Sequence, residues 1–124
     1  MNSNQTNKNI FIEVNSKLWS SKDLEMVKLV SNLVVPEEMG ACIKLSKDNE
    51  MKKLNYYWRG LDKSTNVLSF SSNDCISNKK SSYTYLGDII LAYETISLEA
   101  KEYKIPRCNH IAHLVVHGLL HLMN

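Results

Sequence analysis

A chain of 124 residues, 44% hydrophobic and 23% charged, has the composition of an ordinary globular protein and can bury a core without disulfide or metal staples. Fifteen Lys and Arg against 13 Asp and Glu leave a formal charge of +2, so a nucleic-acid partner would have to meet a local basic surface. No apolar stretch reaches the roughly 20 residues that cross a bilayer, and the start MNSNQTNKN lacks the apolar segment of a secretory signal, so the expectation is a cytoplasmic chain without a membrane partner, one domain over 1–124 with residues 1–8 disordered.

Ile10 to Val14 alternates apolar and polar residues, the period of a half-buried strand. Ser20 with Asp23 three places later has the form of a capping box, opening a helix to about Val35. Leu24, Val27, Val30 and Val34 give that helix one apolar face, and Pro36 stops it. Ala41 to Leu45 reads as a second strand. Asp48 or Asn49 can cap a helix through about Trp58 that turns Met51, Leu54 and Trp58 inward and ends at Gly60. Val67 to Phe70 is a third strand, and 71 to 82 a polar loop. In Tyr83 to Ala92 the run IILA predicts a central strand covered on both faces. A short helix from Glu94 to Tyr103 precedes Pro106, a good first helical residue, and a last helix fills the remainder. The order β, α, β, α, β, β, α, α predicts an α+β domain, with a small mixed four-stranded sheet and the final helix packed against it. Cys42, Cys75 and Cys108 form no C-x-x-C pair; they are expected as reduced thiols without a role.

All four histidines, His110, His113, His117 and His121, fall in the last helix, in HIAHLVVHGLLHLMN. Residues four apart share a helix face with Cβ atoms about 6 Å apart, so His117 and His121 can place two imidazoles on one zinc ion. Their apolar neighbours would keep them neutral and dry, and Gly118 would let a substrate or another backbone approach. The same spacing also suits a buried helix whose histidines are satisfied by hydrogen bonds. His113, about 12 Å of helical rise from His121, reads as core or as support for a ligand, and His110 as a helix-start residue. Arg59 carries a planar fork suited to a phosphate. Asp88, in LGDII, could orient a ligating imidazole or hold a loop. Asn66 and Ser69 read as hydrogen-bonding residues at a turn and a strand end.

Three blocks in order resemble the YbeY family of endoribonucleases and rRNA maturation factors. LNYYWRGLDKSTNVLSF is similar to that family's LN..YRGKDKPTDVLSFP, YLGDIIL to its LGDI segment, and HLVVHGLLHL to HxxVHGxLHLxGYDH. The resemblance implies a zinc-dependent single-strand endoribonuclease acting in small-subunit (16S) rRNA 3'-end maturation and ribosome quality control. It implies His117 and His121 as Zn2+ ligands, Arg59 as the catalytic residue meeting the RNA backbone, and single-stranded rRNA and the small ribosomal subunit as partners. The sequence also departs from the family pattern. A third ligand six residues past His121 would fall three positions beyond Asn124, as in a fragment or a shortened natural chain, and metal affinity is expected to fall. One alternative is that the terminal carboxylate of Asn124, seven residues past His117 on the same stripe, folds back as a weak third ligand. Asn124 also stands where the family has a glycine, and Ser64 and Ser71 where it has prolines. Two rivals remain: a catalytically impaired ribosome-assembly binding protein, and a metallopeptidase. Gly118 in place of the glutamate of H-E-x-x-H counts against the second.

Overall fold

A computed structural model describes residues 7–72 and 83–124. Its elements are β1 (Ile10–Val14), α1 (Ser21–Val34), β2 (Met39–Ser46), α2 (Asp48–Arg59), β3 (Val67–Ser71), β4 (Thr84–Ala92), α3 (Tyr93–Tyr103) and α4 (Arg107–Met123). The expected α+β order is present. Most of the loop expected over 71 to 82, residues 1–6 of the expected disordered start, and Cys75 lie outside the described residues. Cys42 and Cys108 are in no disulfide.

The four strands form one mixed sheet in the order β1-β2-β4-β3. β1, β2 and β4 are parallel, and β3 pairs antiparallel with β4. β4 is therefore interior, and its IILA run is buried, as a strand covered on both faces requires. Helices lie on both sides. Ile43, Leu45, Ile89 and Leu91 join Val27 of α1, Ile96 of α3 and Ile111, Val115 and Leu119 of α4 in one large core. On the opposite face, Met51 of α2 covers Leu68, Ile90 and Ala92, with Leu54 and Phe70 beside them.

The alternation of β4 is broken once. Between Gly40 and Cys42 of β2 the pairing jumps from Tyr85 to Asp88, so one extra β4 residue is accommodated in a bulge. Gly87 sits there at φ 145°, and a Cβ would fall 2.0 Å from the Phe70 carbonyl oxygen; only glycine fits. Leu86 and Ile89 consequently face the large core together. Asp88, cross-strand from Phe70, faces α2.

Local chemistry explains the helix starts. The Ser20 hydroxyl accepts the Asp23 N–H at 3.1 Å and the Asp23 carboxylate accepts the Ser20 N–H at 2.8 Å, the reciprocal box the sequence predicts. The same buried carboxylate accepts from the Arg107 guanidinium at 3.0 Å, tying the start of α1 to the start of α4. This hydrogen bond outweighs partial burial and raises the Arg107 pKa above its ordinary value. Pro106 stands one place earlier than expected, as the N-cap of α4.

Two expectations need correction. Asp48 does not cap α2, whose N-cap is Lys47 without a side-chain bond. The Asp48 carboxylate instead accepts the Thr95 N–H at 3.0 Å and the Thr95 hydroxyl at 2.7 Å, joining α2 to α3. Nor is the start disordered through residue 8. Asn7 is buried, its N–H donates to Asn32 at 2.6 Å, and its amide donates to the carbonyls of Pro36 and Met39 at 3.1 Å each. It latches the turn between α1 and β2.

Candidate functional site

Helix α4 divides its residues cleanly. Ile111, Leu114, Val115, Gly118 and Leu119 are buried, while His113, His117, Leu120, His121 and Asn124 are exposed. The His113 and His117 rings lie nearly parallel, 15° apart with centroids 6.4 Å apart. His117 and His121 share an outward stripe one turn apart, as their spacing requires. Their surroundings differ from the expectation: Val116 and Leu122 are half-buried, Leu120 is exposed, and the imidazoles are exposed to solvent. His113, expected in the core or supporting a ligand, shares that exposed stripe, because the helix turns Ile111, Leu114 and Val115 to the core instead.

Gly118 also has a different role from the one expected. It is buried, and a Cβ there would come within 3.1 Å of both the Ile89 Cδ1 and the Ser69 Oγ. The missing side chain lets α4 settle onto β3 and β4; it opens no path for a substrate.

His110 is the fourth histidine and is unlike the others. It is buried, its Nε2 lies 2.9 Å from a Glu99 carboxylate oxygen, and its ring packs edge-on against Tyr103. The same Glu99 oxygen accepts from the Asn66 amide at 3.0 Å. The Asn66 carbonyl in turn accepts the Ala92 N–H at 3.0 Å. Asn66 is thus the expected hydrogen-bonding residue at the strand end, and the chain Asn66, Glu99, His110 holds β3, α3 and α4 in fixed relation. Position alone gave no sign of it, since Glu99 reads as one more charge on a short helix.

Arg59 is exposed at the last position of α2, on the face of the sheet away from α4. Gly60 ends the helix in the left-handed conformation. The buried Asn55 amide donates to the Lys63 carbonyl at 2.9 Å, so the chain after Arg59 folds back onto its own helix. Trp58, expected inside, is 43% exposed, with one side against Phe70 at 5.5 Å between ring centroids.

These contacts bring α4 and the end of α2 to opposite faces of edge strand β3. Ser69, on one face of edge strand β3, lies under Gly118 between His117 and Leu119. Phe70, the next residue, lies on the other face against Trp58. Asp88 accepts from the Tyr85 hydroxyl and faces α2, so the bulge at Gly87 removes it from any role on an α4 imidazole.

His117 and His121 fit a metal as a pair of imidazole nitrogen donors on one helix face. Among the described residues, no group of three or more His, Cys, Asp or Glu side chains could hold a metal ion, and two ligands are fewer than the three protein ligands of a catalytic zinc site. No helix among the described residues is long and apolar enough to cross a membrane.

A β1-β2-β4-β3 mixed sheet with a histidine-bearing final helix seated on its edge defines a small α+β domain class. The solution structure of TM1509 from Thermotoga maritima has this fold, with a TM-score of 0.63 and 28% identity over 93% of this chain and 72% of that one. The family model described as Endoribonuclease YbeY matches residues 2–124, and the chain belongs to the YbeY family. A protein of Beijerinckia indica subsp. indica named Endoribonuclease YbeY is 49% identical over 76 residues, covering 61% of this chain and 35% of its own length. A protein of the same name from Methylocella silvestris is 37% identical, covering 92% of this chain and 68% of its own length. The chain therefore spans from about a third to about two thirds of these relatives.

Proposed function

We propose that this chain is a metal-dependent endoribonuclease domain that cleaves single-stranded RNA, with small-subunit rRNA as its substrate and His117, His121 and Arg59 as its working residues. The observation that carries the reading is the pair of exposed imidazoles on α4 flanking the one glycine that seats the helix on edge strand β3. Membership of a family whose relatives are named endoribonucleases supports it.

His117 and His121 would hold zinc, whose chemistry when bound is Lewis-acid activation of water and of a phosphoryl oxygen. The chain's own contribution is orientation and charge. Burial of Ile111, Leu114, Val115 and Leu119 fixes the rotation of α4, so both rings leave the core in the same direction. Arg59, anchored by the turn that Asn55 pins, offers two N–H groups to phosphate oxygens. It would neutralise charge that grows on the phosphodiester as the bond breaks. A strand of RNA crossing the β3 edge would meet the imidazoles on one side and the guanidinium on the other. The glutamate that serves as base in H-E-x-x-H sites is replaced by the buried Gly118, which disfavours peptide hydrolysis.

The test is cleavage of a single-stranded RNA with and without added zinc, beside a peptide substrate. His117→Ala is expected to abolish both zinc retention and RNA cleavage. Arg59→Ala should retain zinc and lower cleavage by about 10²- to 10³-fold, the scale for losing one charge-stabilising group. Unchanged cleavage in either variant would refute its assigned role. RNA binding without cleavage, indifferent to His117→Ala, would establish a binding protein instead.

A further inference from the structure

The exposed face of α2 interleaves aromatic rings with cations. Tyr56 and Tyr57 are 61% and 76% exposed, although a helix covering a sheet can turn such rings inward. The inward positions are taken by Met51 and Asn55. Lys52, Tyr56 and Arg59 follow one another at i, i+4 and i+7 along the outer face, and Lys53 and Tyr57 form a parallel row at i and i+4. From 52 to 63 there are four cations, Lys52, Lys53, Arg59 and Lys63, against the single anion Asp62, which lies 3.8 Å from Lys52. The rings are also braced. Tyr57 meets Trp58 edge-on at 5.1 Å between centroids, and Trp58 leans on Phe70 of β3.

Exposed rings alone would suit many partners; rings interleaved with lysines and ending on an arginine suit one chemistry best. Stacked bases need aromatic faces, and the phosphates between them need cations within a few ångströms. A duplex hides its base faces and meets only the cations. An apolar protein partner would be disfavoured by burying four charges with one counter-charge.

We infer that the outer face of α2 is a base-stacking platform for single-stranded RNA, with Tyr56 and Tyr57 as the stacking rings and Lys52 and Lys53 as phosphate contacts. The strand then runs along α2 toward Arg59 and the β3 edge, so this surface deepens the proposed function by selecting unpaired RNA and feeding it to the site.

The test is a fluorescence titration of the chain, with a chelator present, against a uridine oligonucleotide of about 12 nucleotides, within the usual span of such sites. Binding is expected to quench the half-exposed Trp58. Tyr56→Ala with Tyr57→Ala should weaken binding about tenfold or more, whereas the two Phe substitutions should stay within about threefold, because stacking requires the ring and not the hydroxyl. Tyr57→Lys separates the physical causes: attraction by charge alone tightens binding, and loss of stacking weakens it. The inference is overturned by unchanged binding in the double alanine variant, by tighter binding in Tyr57→Lys, or by equal affinity for duplex and single strand. It is also overturned if the alanine changes abolish self-association or protein binding and spare RNA. The two readings fail separately: a wild-type chain that binds through its tyrosines but never cleaves removes the hydrolytic reading alone. Cleavage that persists with the alanine pair and unaltered affinity removes this inference alone.

Discussion

The two faces of the sheet are covered to very different depths. On one, α1, α3 and α4 close over a continuous core from Trp19 to Leu119; on the other, among the described residues, α2 with its Met51 covers Leu68, Ile90 and Ala92. The thick face holds the fold together and can therefore present His117 and His121 on a rigid helix. The thin face has little left to bury, so its single helix can expend aromatic and basic residues on the solvent side. The larger buried core and the helix with exposed rings and cations thus lie on opposite sides of one sheet.

Truncating the core on each side measures that division most directly. Leu119→Ala, in the thick layer, is expected to cost about 4 kcal/mol, and Met51→Ala about 2 kcal/mol, high and low in the range for such truncations because a thin layer collapses more easily around the cavity. Urea midpoints at constant m would report both, and equal losses would dissolve the contrast. The next largest effect is at the seam between α1 and α4. Arg107→Met leaves the buried Asp23 carboxylate, 2% exposed, without its cation. A loss of about 2 to 3 kcal/mol is expected, below that of a fully buried pair because Arg107 is partly solvated; calorimetry should show it, and a neutral result would mean the Ser20 N–H alone suffices.

The smallest effect belongs to the thin face. Partial burial raises the Glu50 pKa, but the Ser46 hydroxyl and the Lys44 ammonium outweigh it and hold the carboxyl below its ordinary value. A carboxylate depressed by folding stabilises above its unfolded pKa, and that contribution disappears as pH falls through the folded value. Glu50→Gln should therefore cost under about 1 kcal/mol at neutral pH, where solvent screens the pair. The variants should become equally stable in acid below the carboxylate range. A difference that persists there would point to packing.

Much of this was legible from residue patterns. The Ser20 and Asp23 spacing fixes the start of α1, and IILA marks the interior strand, because capping and two-sided burial each leave a local signature. The rotation of α4 was harder to read. Apolar residues lie beside every histidine, and the side that faces the sheet is set by which of them are buried, Ile111, Leu114, Val115 and Leu119, together with the close approach of Gly118 to Ser69 and Ile89. Asp88 could not be assigned to a face by alternation, since one extra residue at Gly87 reverses the count. Asn66, Glu99 and His110 meet from three elements, and no local pattern encodes a bond between residues 33 positions apart.

The latch at Asn7 has a practical corollary for anyone handling this polypeptide. One carboxamide grips the chain on both sides of the α1 to β2 corner, so a tag or cleavage scar belongs ahead of residue 7. Trimming past it would strip partners from carbonyls 29 and 32 residues away and loosen a corner that looks unrelated to the amino end.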